Sequence, residues 1–225
     1  MSDLQAHFSD PQAVARYTEG PPRYVPGLHD LHRMTAILLA EQTPEAARIL
    51  VLGAGGGMEM RAMADACPQW RFDGVDPSVQ MLDLARQTLG PHAGRADLHT
   101  GYIEDAPEGP FDAATCLLTL HFLTPDERRR TLTELRRRLR PGAPLVVAHS
   151  SFPQDDRTRW LSRYAAFALA SGAPPDQVAN AHAAVTANLQ TLSPDHDEAI
   201  LRDAGFSTPT LFYAAFTWRG WITAA

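Results

Sequence analysis

Residues 48–76 read RILVLGAGGGMEMRAMADACPQWRFDGVD, and the rest of the chain takes its meaning from them. Four apolar residues in succession (Ile49, Leu50, Val51, Leu52) break into Gly53-Ala54-Gly55-Gly56-Gly57. A strand apolar at every position is one buried on both faces, as the centre of a parallel sheet requires. The glycines admit a tight turn and let a ligand approach the backbone closely. A helix over about 57–66 follows, with Met58, Ala62, Met63 and Ala66 as its expected buried stripe. Its start at the turn aims backbone N–H groups and the positive dipole end at whatever binds there. A second short strand, about 70–75, ends in Asp76. An acid roughly twenty residues past such a turn suits a clamp on ribose hydroxyls. The stretch reads as the adenosine-binding half of a Rossmann-like α/β sheet.

Upstream, LHDLHRMTAILLAE (28–41) places Leu28, Leu31, Thr35, Leu38 and Leu39 near one face at helical spacing. His29 and His32 could share a face, but no third ligand accompanies them, so no metal site is expected. Residues 1–30, with prolines at 11, 21, 22 and 26, read as an irregular arm with one short helical turn at 13–17. The alternative is a lid that brings Tyr17, Arg23 and Tyr24 over the ligand.

Downstream, Asp76-Pro77-Ser78 opens a helix whose buried stripe is Met81, Leu82, Ala85 and Leu89. A strand near 96–100 ends at Gly101-Tyr102-Ile103-Glu104-Asp105, and a fourth, FDAATCLL, spans 111–118. Thr124-Pro125-Asp126-Glu127 is a capping box that starts the next helix. The arginines of that helix (Arg128 to Arg130, Arg136 to Arg138, Arg140) read as a solvated face rather than an RNA surface. A fifth strand follows over 144–148. Two consecutive helices, 157–172 and 176–190, then interrupt the βα alternation and are expected to cover the strand ends. TPTLFYAAFTWRGWITAA supplies two aromatic-rich strands too close in sequence to be parallel, so one strand of the sheet is reversed.

At 225 residues the chain fits one α/β domain, read as 1–225 with an N-terminal cap over 1–45 and a helical insertion over 150–192. The net charge of −6 gives no basic field for nucleic acid. Cys67 and Cys116 form no metal spacing, and neither a leader nor a membrane-length apolar run is visible, so a cytoplasmic location is expected.

A nicotinamide fingerprint would place its third glycine at Met58; here the glycines run GxGxG. That pattern, Asp76, the Gly101–Asp105 tip, LRPGAPLVV before the fifth strand and the reversed tail together resemble the class I S-adenosylmethionine-dependent methyltransferases, over roughly residues 30–225. Within them the chain is similar to the bacterial carboxy-S-adenosylmethionine synthase family, which acts in modification of the tRNA wobble uridine. The matching stretches are Val25-Pro26-Gly27, LTLHFLTPDER, LRPGAPLVV and the late AGF (Ala204 to Phe206) with its aromatic strands.

The resemblance implies a seven-stranded sheet with its last hairpin reversed and S-adenosyl-L-methionine bound across the strand ends. It assigns Gly53, Ala54 and Gly55 to the methionine and ribose portions, and Asp76 to the ribose hydroxyls. Pro77, Met81, Tyr102 and Ile103 go to the adenine, and Leu117 and Leu118 lie beneath the sulfonium. Three positions depart from the pattern. Val51 and Tyr102 stand where the family carries acids, and His182 stands where the synthase places an arginine against an extra carboxylate. An imidazole is a poorer carboxylate partner than a guanidinium fork. The reading is therefore methyl transfer to a small-molecule acceptor. The alternatives are a synthase-like enzyme and a non-catalytic S-adenosylmethionine-binding protein. His121 and His149 are the candidate bases and, with Tyr24, Trp160 and His182, the candidate substrate residues. Neither a membrane nor a nucleic-acid partner is expected, and homodimer formation is left open.

Overall fold

The computed structural model describes Val14 and residues 17–225. Seven strands form one sheet: β1 (Arg48–Leu52), β2 (Arg71–Asp76), β3 (Ala96–Thr100), β4 (Ala113–Leu117), β5 (Pro144–Ser150), β6 (Thr210–Ala215) and β7 (Trp218–Ala224). Their order is β3-β2-β1-β4-β5-β7-β6, and β7 alone runs against the others. The expected reversal is thus one strand, inserted between β5 and β6. β1 is bonded on both sides, to β2 with Val51 opposite Gly74 and to β4 with Val51 opposite Thr115.

Strand alternation divides the core in two. Ile49, Val51, Val146 and Ala148 face one apolar layer, and Leu50, Leu52, Leu145 and Val147 the other. On the first side lie α1 (Pro21–Tyr24), α2 (Leu28–Ala40) and α3 (Met58–Ala66), with Leu31, Leu39, Met60 and Met63 fully buried. α4 (Val79–Leu89) buries Met81, Leu82, Ala85 and Leu89 and is capped by Ser78, whose hydroxyl accepts from the Met81 N–H. On the second side α5 (Pro125–Arg138) starts in the expected capping box, with Thr124 and Glu127 bonded reciprocally, and buries Leu132 and Leu135. The insertion forms α6 (Arg157–Ala170) and α7 (Pro175–Asn188), and α8 (Pro194–Asp203) precedes β6. No helix among the described residues is long and apolar enough to cross a membrane.

Two expectations are corrected. The arm is not irregular where it is described: Tyr17–Glu19 is a 3-10 turn and Pro21–Tyr24 a helical turn. Paired prolines at a helix start set φ at no hydrogen-bonding cost, because those N–H groups are orphans anyway. Of the turn expected at 13–17, Val14 is helical, and 13, 15 and 16 lie outside the described residues.

The arginine face of α5 is not wholly solvated. Arg128 and Arg138 are each 1% exposed. The Arg138 guanidinium donates to the Glu134 side chain at 2.6 Å and to its carbonyl at 3.0 Å. Arg128 pairs with Asp197 of α8 and donates to the carbonyls of Leu120 and Gln190.

Candidate functional site

The carboxyl ends of β1, β2 and β4 open into a cavity of about 450 Å³. Its floor is the glycine turn. Gly53 has φ +77°, and a Cβ there would fall 1.9 Å from Thr119 Oγ1, so only glycine lets the β1 and β4 tips approach this closely. Asp76 stands at the tip of β2. One of its oxygens accepts the Gly55 N–H at 2.9 Å and the other the Ser78 N–H at 2.9 Å. Burial raises the Asp76 carboxyl above its ordinary pKa, although these two donors oppose the shift.

The β3 tip contributes Gly101, Tyr102 and Asp105. Asp105 accepts the Tyr102 N–H at 2.9 Å, and the Tyr102 ring stays 51% exposed at the rim. Leu117 ends β4 and Leu118 follows it, both at the cavity wall. Leu118 has φ +54°, a left-handed conformation costly for a branched side chain and of a kind that clusters at functional sites.

Tyr17 and Pro21 of the arm, with Leu28 and His32 of α2, close the cavity from above. Of the three residues in the lid alternative, Tyr17 lines the cavity and Arg23 and Tyr24 do not. Its ring packs on Gly56, and burial beside Asp76 and Glu59 pushes its phenol up to about 12. Two anchors fix this roof from the far end of the chain. The Tyr213 hydroxyl donates to the Pro26 carbonyl at 2.6 Å, and the Trp218 indole N–H to the Tyr24 carbonyl at 3.0 Å.

Of the residues expected at the cofactor, Gly53, Ala54, Gly55, Asp76, Pro77, Met81, Tyr102, Leu117 and Leu118 line this cavity. Ile103 does not. Its side chain is buried on the opposite layer with Leu52 and Val75.

The substrate and base candidates are elsewhere. His149 follows Ala148 by one residue, and strand alternation turns it to the other layer. There its Nε2 stands 3.2 Å from Asp197 Oδ1 and its ring packs on Trp221. His121 is 3% exposed, accepts the Ser150 N–H at 3.3 Å and packs against Phe122 and Trp218. Burial, with His149 and Arg128 nearby, holds it well below the usual histidine pKa. Tyr24 packs on Tyr164, Trp160 sits under Arg163 and Arg219, and His182 lies half-buried on α7. None of the five lines the cavity.

The insertion, expected over the strand ends, contributes no lining residue; it props the arm through Tyr164 and the 119–123 loop through Gln190. The His29/His32 pair separates, His29 being exposed and His32 buried at the cavity. No metal-ligating cluster occurs among the described residues.

Sequence reasoning missed His32 and Glu59. Burial, with a smaller contribution from His29, lowers His32 to about 4, so it is neutral at pH 7. Glu59 is 7% exposed, and its Oε1 accepts the Thr115 hydroxyl at 2.5 Å. Burial pushes its carboxyl up to about 8 against that hydrogen bond. Asp76, Glu59 and Asp105 line the cavity, and no arginine or lysine does so among the described residues. Such a site suits a cationic ligand, and its volume of about 450 Å³ falls in the range of small-molecule and cofactor pockets.

Fold and cavity define a class, and the comparisons agree: residues 49–142 match the family model described as a methyltransferase domain, and the chain belongs to the S-adenosylmethionine-dependent methyltransferases, enzymes whose cofactor is S-adenosyl-L-methionine. By sequence it is similar to the carboxy-S-adenosyl-L-methionine synthase of Chromohalobacter salexigens, 30% identical over 94% of this chain and 81% of the relative. It is also similar to the trans-aconitate 2-methyltransferase of an Azoarcus species, 37% identical over 46% of this chain and 39% of that one. Human N-acetylserotonin methyltransferase, solved with S-adenosylmethionine, shares the fold at a TM-score of 0.65 and 15% identity, over 98% of this chain and 58% of that one.

Proposed function

We propose that this enzyme transfers a methyl group from S-adenosylmethionine to an uncharged or cationic small molecule, and that it is not a carboxy-S-adenosylmethionine synthase. The observation that carries the reading is which ionisable residues the cavity wall contains. Its described residues include Asp76, Glu59 and Asp105 and neither arginine nor lysine. A cofactor bearing an extra carboxylate, or an anionic acceptor, calls for a guanidinium or ammonium partner. The residue standing where the synthase has its arginine, His182, lies on α7 outside that wall.

Bound S-adenosylmethionine supplies a methyl group on a positively charged sulfur that is itself a good leaving group. The protein therefore has mainly to bind, orient and exclude water. In this reading Asp76 accepts the ribose hydroxyls with the lone pairs that Gly55 and Ser78 leave free. Met81 and Pro77 flank the adenine with the Tyr102 ring, and Leu117 and Leu118 present an apolar wall toward the sulfonium. His32, neutral at pH 7, offers its imidazole to the acceptor from the roof. Tyr17 and Pro21 keep water out. The whole described chain acts as one catalytic unit, with α6 and α7 supporting the roof rather than walling the pocket.

Calorimetry with S-adenosylmethionine tests the base of the reading, since no binding at about millimolar ligand would remove it. Mass spectrometry of products from a panel of amines, phenols and other neutral acceptors tests methyl transfer. Incubation with S-adenosylmethionine and prephenate discriminates the synthase, because a carboxylated cofactor there would overturn the proposal. Tight binding without turnover on the full panel would favour a non-catalytic protein.

A further inference from the structure

Strand β1 carries no acid. Val51 is fully buried in the core, bonded in register beside Thr115 of β4. From the other direction, the first turn of α3 sends Glu59 to the same place. Its carboxyl reaches across to the Thr115 hydroxyl at 2.5 Å and lines the cavity beside Gly53, Ala54 and Gly55. An acid in a helix's first turn ordinarily points to solvent, where the dipole favours it at no desolvation cost. This one is 7% exposed, and among the described residues its partner is the Thr115 hydroxyl rather than an arginine or histidine. A carboxylate left in that position is costly unless a cation meets it. The cavity is where such a cation would come from.

We propose that Glu59, entering from helix α3, is the anion that holds the α-ammonium group of the cofactor's methionine portion, in place of an acid on strand β1. The inference rests on the reading of this cavity as the S-adenosylmethionine site. Thr115 positions the carboxyl by donating to one oxygen, and the ammonium takes the face turned to the cavity. The proton follows from charge balance. In the free protein at pH 7 the Glu59 carboxyl is mostly protonated. The arriving –NH₃⁺ favours the carboxylate, so binding releases that proton to solvent while the ammonium keeps its own. Other ionisable groups line the same cavity: Tyr17 from the arm, Asp76 from β2, Asp105 beyond β3 and His32 from α2. Burial pushes the Tyr17 phenol upward and keeps His32 neutral, so neither titrates near pH 7.

The test uses two ligands without a reactive methyl. S-adenosylhomocysteine keeps the amino-acid tail, and 5′-methylthioadenosine lacks it. With wild-type protein at pH 7, calorimetry in two buffers of different ionisation heat should show release approaching one proton with S-adenosylhomocysteine and close to none with methylthioadenosine. Glu59→Gln keeps an oxygen for the Thr115 hydroxyl. It should weaken S-adenosylhomocysteine roughly ten- to a hundredfold, leave methylthioadenosine within about twofold, and abolish the proton release. Equal loss for both ligands, or unchanged S-adenosylhomocysteine affinity in Glu59→Gln, would overturn the proposal. The wild-type proton count decides even where the variant does not fold. Failure of the wild type to bind either ligand would instead strike at the cofactor site itself.

Discussion

Asp76 and Gly55, twenty-one residues apart, are joined by a 2.9 Å hydrogen bond from the Gly55 N–H to the Asp76 carboxylate. The tip of β2 and the glycine turn after β1 are therefore one rigid unit. Ser78, whose N–H donates to the other carboxylate oxygen, extends that unit to the start of α4.

Replacing Asp76 with alanine removes an acceptor from two backbone donors and, in the proposed mode, from the ribose. Affinity for S-adenosylmethionine should fall by about 1.5–3 kcal/mol, the range for hydrogen bonds to charged groups. Calorimetry on the folded variant measures this, and unchanged affinity would count against the ribose assignment.

Gly53→Ala places a methyl group against Thr119 on backbone with φ +77°. The left-handed conformation alone costs roughly 1–2 kcal/mol, and the contact forces Thr119 or the turn to move. Both melting temperature and cofactor affinity should drop. The double variant Gly53→Ala/Thr119→Gly should recover part of the loss; no recovery would show that the clash is not the cause.

Arg128 is paired with Asp197 in a fully buried setting. Burial alone would raise the Asp197 carboxyl, but His149 and Arg128 outweigh it and hold that group below the usual carboxylate range. Arg128→Met leaves a buried anion with its guanidinium partner gone and frees the Gln190 and Leu120 carbonyls. The expected loss is about 3–5 kcal/mol in urea unfolding, with the 119–123 loop becoming the most readily exchanged segment by hydrogen exchange.

The buried histidines His32 and His121 weaken the fold in acid. His32 in the folded protein sits near 4, below its unfolded value of about 6.5. A depressed histidine binds its proton more readily unfolded, so its contribution is complete above about pH 6.5 and is lost as pH falls toward about 4. His121 acts with the same sign. Glu59, raised to about 8, acts with the opposite sign between about pH 4.5 and 8, so the histidine contribution is read as a difference between two proteins. Lowering the pH from about 6.5 to 4 should destabilise the wild type relative to His32→Leu in thermal denaturation, and a constant difference would exclude His32 as a source.

How far the sequence is legible follows from what each signal is made of. The glycine turn, Asp76, the capping box at Thr124 and the antiparallel tail all depend on local chemistry, and all are visible in order along the chain. Glu59 is hidden because the stripe expected on α3, Met58, Ala62, Met63 and Ala66, matches the buried face only at Met63. The face that packs inward carries Glu59, Met60, Met63 and Ala64. A rotation of one residue, about 100°, moved the acid from solvent to cavity.

His149 was misread for an equally small reason. It stands at the end of β5, but strand alternation gives the cavity layer to Ala148. Burial of Arg128 depends on an acid 69 residues away, and nothing local announces that.

The roof of the cavity belongs to the earliest part of the chain, yet its two anchors, Tyr213 and Trp218, come from the last two strands. β6 has no neighbour except β7, which must slot in between it and β5. The two clasps span 187 and 194 residues of sequence. Removing β7 would leave β6 unpaired and take away the Trp218 indole that holds Tyr24, so closure of the cavity depends on pairings that are among the most non-local in the fold.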